Sequence, residues 1–166
     1  MSHLTAAVFI ALLLNSAYLV AIPTASIWYY ANVGLHPILG LTLAVVVARR
    51  RSRSIWTGDT VADTGAILLA AGLLIGCAVA IVGATRQYAL LLQLHVLTSS
   101  VGAALFAIHV WRVVAGSPAR AWVIRASLAA AVVAGATAPM LRVSHDANYR
   151  ERYRIENPTR PPANMG

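Results

Sequence analysis

The sequence predicts an all-α, polytopic transmembrane bundle of about five helices. Three observations carry this. Of 166 residues, 59% are apolar and only 11% charged, less than half the charged share of an ordinary soluble domain. One domain of this length has too small an interior to hide so much apolar surface, so lipid must cover the rest. The apolar residues also fall into five runs, at 4–22, 27–48, 61–84, 88–111 and 121–141, each close to the ~20 residues a helix needs to cross the hydrocarbon. Backbone polar groups in lipid must be satisfied within the segment, so these runs are read as helices. The same composition excludes disorder.

The elements follow in order. The first run opens Met1-Ser2-His3-Leu4-Thr5, without the basic n-region of a secretory signal, and is read as a transmembrane helix. Pro23 with Thr24 to Ser26 makes the turn into the second span. Asp59 and Asp63 are read as helix-start residues of the third. Gly83 to Tyr88 is the hairpin between spans three and four. The fifth run is the weakest, and a four-helix arrangement with a re-entrant fifth stretch is the alternative. The bundle therefore occupies 1–141. Residues 142–166 are polar and end in Asn157-Pro158-Thr159-Arg160-Pro161-Pro162, which reads as an extended tail or linker.

The net charge is +8, and all thirteen basic residues are arginine. They cluster at the ends of apolar runs, not in a patch or stripe, which argues against nucleic acid and for headgroup anchoring. Arg49, Arg50, Arg51 and Arg53 separate spans two and three; Arg112, Arg120 and Arg125 separate spans four and five. Both groups fall on one side, assigned as cytoplasmic. The N-terminus is then cytoplasmic and the tail outside, as in a multi-pass protein of a bacterial inner membrane. Trp28, Tyr29 and Tyr30 form an outer aromatic belt, and Trp56, Trp111 and Trp122 an inner one. Five arginines in the tail run against this orientation; Asp146, Glu151 and Glu156 partly offset them. The lone Cys77 excludes an internal disulfide and a cysteine zinc cluster, and is expected to be a small buried hydrophobe.

Span three carries Gly65, Gly72, Gly76 and Gly83 on one face, with Gly72 and Gly76 forming a small-xxx-small pair. Span five offers Ala130, Ala134 and Ala138. Both seams are expected to pack helices, within the bundle or against another subunit.

Three histidines, His36, His95 and His109, lie inside apolar spans, where an ionisable group is costly and a functional candidate. The bland alternative is a neutral imidazole bonded to a neighbouring helix. His95 and His109 are fourteen residues apart on span four, which returns them to nearly the same face about 21 Å apart. Gly102 lies midway, where a missing side chain would let a flat group press on the helix. Such a helix resembles the haem-ligating helices of b-type cytochromes. The stretch Asn32-Val33-Gly34-Leu35-His36-Pro37-Ile38-Leu39-Gly40, with Leu94-His95, is similar to small membrane cytochrome b modules. The tail Arg152-Tyr153-Arg154-Ile155-Glu156-Asn157-Pro158 resembles the linker in bacterial proteins that continue into exported multihaem c-type cytochromes.

The resemblance implies haem b held by two histidines at one depth. His36 and His95 match in depth, and Gly34 and Gly40 would leave room for the ring. Arg86, Gln87, Tyr88 and Asn32 are placed to meet propionates or, as the bland alternative, lipid headgroups. His109 finds no histidine partner, so one haem is expected rather than two; His109 would ligate a second haem, bind a quinone or simply hydrogen-bond. His145 is read as a surface histidine. The implied role passes electrons from the quinone pool to a c-type cytochrome or partner subunit outside, within a quinol-oxidising complex and not as a stand-alone hydrolase or transferase. The alternative is an accessory subunit of a respiratory or photosynthetic membrane complex, with histidine ligating a chlorophyll-type pigment. A transporter is disfavoured because paired broken helices are absent.

Overall fold

The computed structural model describes residues 3–51, 58–114 and 118–154. Five helices account for nearly all of them: α1 (His3–Ala21), α2 (Ile27–Arg51), α3 (Thr60–Val82), α4 (Ala89–Val113) and α5 (Pro118–Arg152), with a short 3-10 turn at Arg86–Tyr88. All five are long and apolar enough to cross a membrane, which rules in favour of five spans over four. Arg53, Trp56 and the proline-rich end of the tail lie outside the described residues.

Local chemistry sets the boundaries. Pro23 follows α1, and the residue before a proline is driven away from helical geometry. Ser26 then caps α2, its Oγ accepting from Tyr29 N at 3.2 Å. Asp59 caps α3, accepting from Val61 N at 3.0 Å and Ala62 N at 3.3 Å, as its residue type predicts. Gly83 ends α3 with φ +81° while its N–H bonds Val79 O; that left-handed φ costs a glycine little. Gly83 therefore serves as a terminator and not as part of the glycine seam.

The largest departure from expectation is at the C-terminal end. The chain does not become extended at residue 142, because α5 runs on to Arg152. A 35-residue helix is about 52 Å long against a hydrocarbon core of about 30 Å, so it must project beyond the bilayer. The projecting part holds its helix through i, i+4 pairing: Arg142 Nε donates to Asp146 Oδ2 at 2.9 Å, and the rings of His145, Tyr149 and Tyr153 follow one another along the same face. No glycine or proline interrupts the sequence between Pro139 and Pro158.

The core sits towards the end of the bundle where α1, α3 and α5 begin. Phe9 of α1 is fully buried and meets Phe106 of α4 edge-to-face, ring centroids 5.0 Å apart. Ala6, Leu43, Val110 and Leu128 close around them. At the other end Ala17 and Ala21 of α1 pack on Ala134 and Ala138 of α5, so two alanines of the expected seam pack inside the bundle, while Ala130 is exposed.

The glycine seam is also internal and makes the closest helix pair, α3 on α4. A Cβ on Gly65 would lie 3.0 Å from Phe106 N, and one on Gly102 would lie 2.8 Å from Leu69 N. Gly72 faces Ser99. Away from this interface the surface is apolar: Ile27, Leu74 and Ile81 are 86%, 72% and 85% exposed. Such a surface suits lipid, and the chain is a multi-pass membrane protein. Cys77 belongs to this exposed side, not to the interior, because the glycine face of α3 is the one turned inward. Trp28 and Tyr30 mark the start of α2, and Trp111 and Trp122 the opposite end, all well exposed as membrane-interface aromatics are.

Candidate functional site

Two histidines meet between the helices. His36 on α2 and His95 on α4 have ring centroids 6.1 Å apart with planes at 88°. Their helices run in the same direction through the bundle. His36 is nine residues into α2 and His95 six into α4, a depth difference of about 4.5 Å.

Each ring is held by a hydrogen bond at Nδ1. His95 Nδ1 lies 2.8 Å from the backbone oxygen of Gly72. A carbonyl can only accept, so Nδ1 carries the proton and Nε2 keeps its lone pair. The ring stands against Gly76, where a Cβ would come within 2.7 Å of His95 Cε1. Gly76 is six residues from the end of α3, and His95 is six from the start of antiparallel α4. The glycine supplies the seat.

His36 Nδ1 lies 3.0 Å from Asn15 Oδ1 of α1. The Asn15 amide is oriented by its other end: Nδ2 donates to Asn32 Oδ1 at 2.8 Å and Asn32 O at 3.2 Å. Asn15 Oδ1 is therefore the acceptor, His36 Nδ1 the donor, and His36 Nε2 again the lone-pair nitrogen. Asn15 is itself 6% exposed. Asn15, Asn32 and Gly72 thus hold both imidazoles in the same tautomer.

The remaining candidates separate. Gly34 has open space on its Cβ side, and Gly40 only touches Leu73 Cδ1 at 3.5 Å. Gly102 does not clear space for a flat group, because the α3 backbone fills that space. Asn32 is not free to meet a propionate; its Oδ1 takes Asn15 and its Nδ2 donates to Trp28 O at 2.8 Å. Arg86 is exposed in the 3-10 turn, nine residues before His95. His145 lies on the projecting end of α5, its Nδ1 3.7 Å from Asp146 Oδ1.

His109 does have a partner, though not a histidine. Its Nδ1 lies 2.9 Å from Asp59 Oδ2, while Asp59 Oδ1 caps α3. The hydrogen bond from His109, aided by the backbone N–H groups of Ala62 and Val61, holds the Asp59 carboxyl below the usual carboxylate range. Side-chain exposures of 17% and 33% place the pair at the edge of the bundle.

Asn15, Gly72 and Gly76 were not singled out as site residues by sequence reasoning. The depth matching that joins His36 to His95 also finds Asn15, a polar residue six from the end of α1. A backbone acceptor such as Gly72 O carries no side-chain signal.

Among the described residues no group of three or more His, Cys, Asp or Glu side chains could hold a bare metal ion. Two imidazoles can supply only two ligands, so a metal here would need its other ligands from a macrocycle or solvent. No family model matches the chain, and comparison with curated proteins and with solved structures returns no match.

Proposed function

We propose that this chain is a membrane electron-transfer subunit in which His36 Nε2 and His95 Nε2 would hold haem b between α2 and α4. The observation that carries the reading is the double Nδ1 restraint. Histidines that bind metal donate their other ring N–H to a carbonyl or carboxylate, which fixes tautomer and orientation. Asn15 Oδ1 and Gly72 O do this for the two rings.

The spacing supports the same reading. The two ring centroids lie 6.1 Å apart, close enough for both imidazoles to hold one metal-bearing group between them. α2 is the least buried helix, which leaves its contact with the α3–α4 pair able to admit a flat group. Bound haem would supply one-electron iron redox chemistry. The chain's residues orient the imidazoles, raise their basicity through Asn15 and Gly72, and exclude water by apolar packing.

Among the described residues one pair of histidines converges, and Asp59 occupies His109, which favours one haem over two. With arginine-rich ends on the cytoplasmic side, the His36/His95 site lies nearer the outer face of a bacterial inner membrane. Electrons would then pass between the quinone pool and a c-type cytochrome or partner subunit outside. The test is a reduced-minus-oxidised spectrum of the purified protein with His36→Ala and His95→Ala beside it. A b-type band lost in both variants supports the reading; no band in the wild type, or an unchanged haem content in both variants, overturns it.

A further inference from the structure

We infer that the lipid-facing groove between α1 and α5 is a binding site for one anionic phospholipid, with its phosphate at Arg120 and an acyl chain along the groove. Two adjoining surface depressions of about 380 and 410 Å³ share His3, Val123 and Ile124. Below this mouth the walls are apolar, from Ala11 and Leu14 on α1 and Val123 on α5. The ionisable groups gather at one end, where His3 opens α1 and Arg120 stands two residues into α5; deeper in the groove the one polar side chain is Ser127.

The dimensions select a membrane lipid. From His3 to Leu14 is eleven residues, about 16 Å of helix, and one leaflet of hydrocarbon is about 15 Å deep. The groove therefore runs from the headgroup level to the midplane. Charge selects the headgroup. Arg120 is exposed at that level, where a phosphodiester sits, and a cation there attracts anionic lipid. Arg125, by contrast, turns towards α4, donating to Trp111 O at 3.3 Å. A quinone has an apolar tail but a neutral head, whose carbonyls can accept only a hydrogen bond from Arg120 and lack the full charge pairing of a phosphate.

Native mass spectrometry of the purified full chain, loaded with phosphatidylglycerol or phosphatidylcholine, tests this. The wild type is expected to retain one phosphatidylglycerol about fivefold more than phosphatidylcholine, as one basic residue near the surface implies. Arg120→Gln should remove that preference, and Ala11→Phe, which fills the groove, should lower retention of both lipids. If Ala11→Phe fails to fold, Arg120→Gln at its exposed position decides alone. Equal retention by the wild type, an unchanged preference in Arg120→Gln, or displacement of the lipid by ubiquinone would overturn the assignment.

Discussion

Gly76 and His95 are so close that a methyl group on the glycine would sit 2.7 Å from the imidazole Cε1. Helix α3 therefore does more than pack against α4. One turn of it, Gly72 to Gly76, gives the ring both a seat and, through the Gly72 carbonyl, a hydrogen-bond acceptor at 2.8 Å. Gly76→Ala is expected to push the ring from that seat. Overpacking of this kind costs about 1–3 kcal/mol, read as a lower melting temperature, and haem content should fall with it. A Gly76→Ala protein with wild-type haem content and melting temperature would show that the seat is loose.

Asn15 tests the second ring without touching the first. Asn15→Leu removes the acceptor for His36 Nδ1 and leaves His36 itself in place. Loss of such a supporting bond typically weakens metal binding about 10- to 100-fold, so haem titration should show weaker retention. The midpoint potential should also rise, because an imidazole without its acceptor donates less electron density to iron. An unchanged affinity and potential would mean that Asn15 serves only to join α1 to α2.

The Asp59–His109 contact predicts a pH dependence. The hydrogen bond from His109 lowers the folded-state pKa of Asp59, so below the ordinary carboxylate pKa of about 4 the unfolded chain binds the proton first. The contact's stabilisation is therefore present above that pH and is lost as pH falls through the lower folded value. The melting-temperature gap between wild type and Asp59→Asn, which keeps a capping oxygen, should be full near neutrality and close in acid. A gap that widened in acid would contradict the assignment.

Gly102 separates packing from cofactor clearance. Its Cβ direction points at the α3 backbone, 2.8 Å from Leu69 N. Gly102→Leu should force α3 and α4 apart and lower thermal stability at both ends of the seam. A variant that melted like the wild type but lost haem would restore the clearance role.

Much of this architecture was legible in the sequence because each span carries its own signal. The five apolar runs match α1 to α5 within a few residues at most ends, and the Pro23, Asp59 and Gly83 boundaries follow from residue chemistry. The His36–His95 contact was legible because depth along parallel helices is a one-dimensional calculation. Three things were not. The helical course of residues 142–152 depends on side-chain pairs such as Arg142–Asp146, and local polarity masks it. The role of Gly102 depends on which side of α4 faces α3, which spacing within one helix does not reveal. The Asp59–His109 pair joins residues fifty apart at a helix end, where Asp59 had already been explained as a cap. One carboxylate serves both uses, with a different oxygen for each.

The most direct measurement is the reduced-minus-oxidised difference spectrum of the wild type beside His36→Ala, His95→Ala and His109→Ala. The account predicts a b-type band in the wild type, its loss in the first two variants, and its persistence in His109→Ala. Absence of the band from the wild type, or loss in His109→Ala alone, would contradict it.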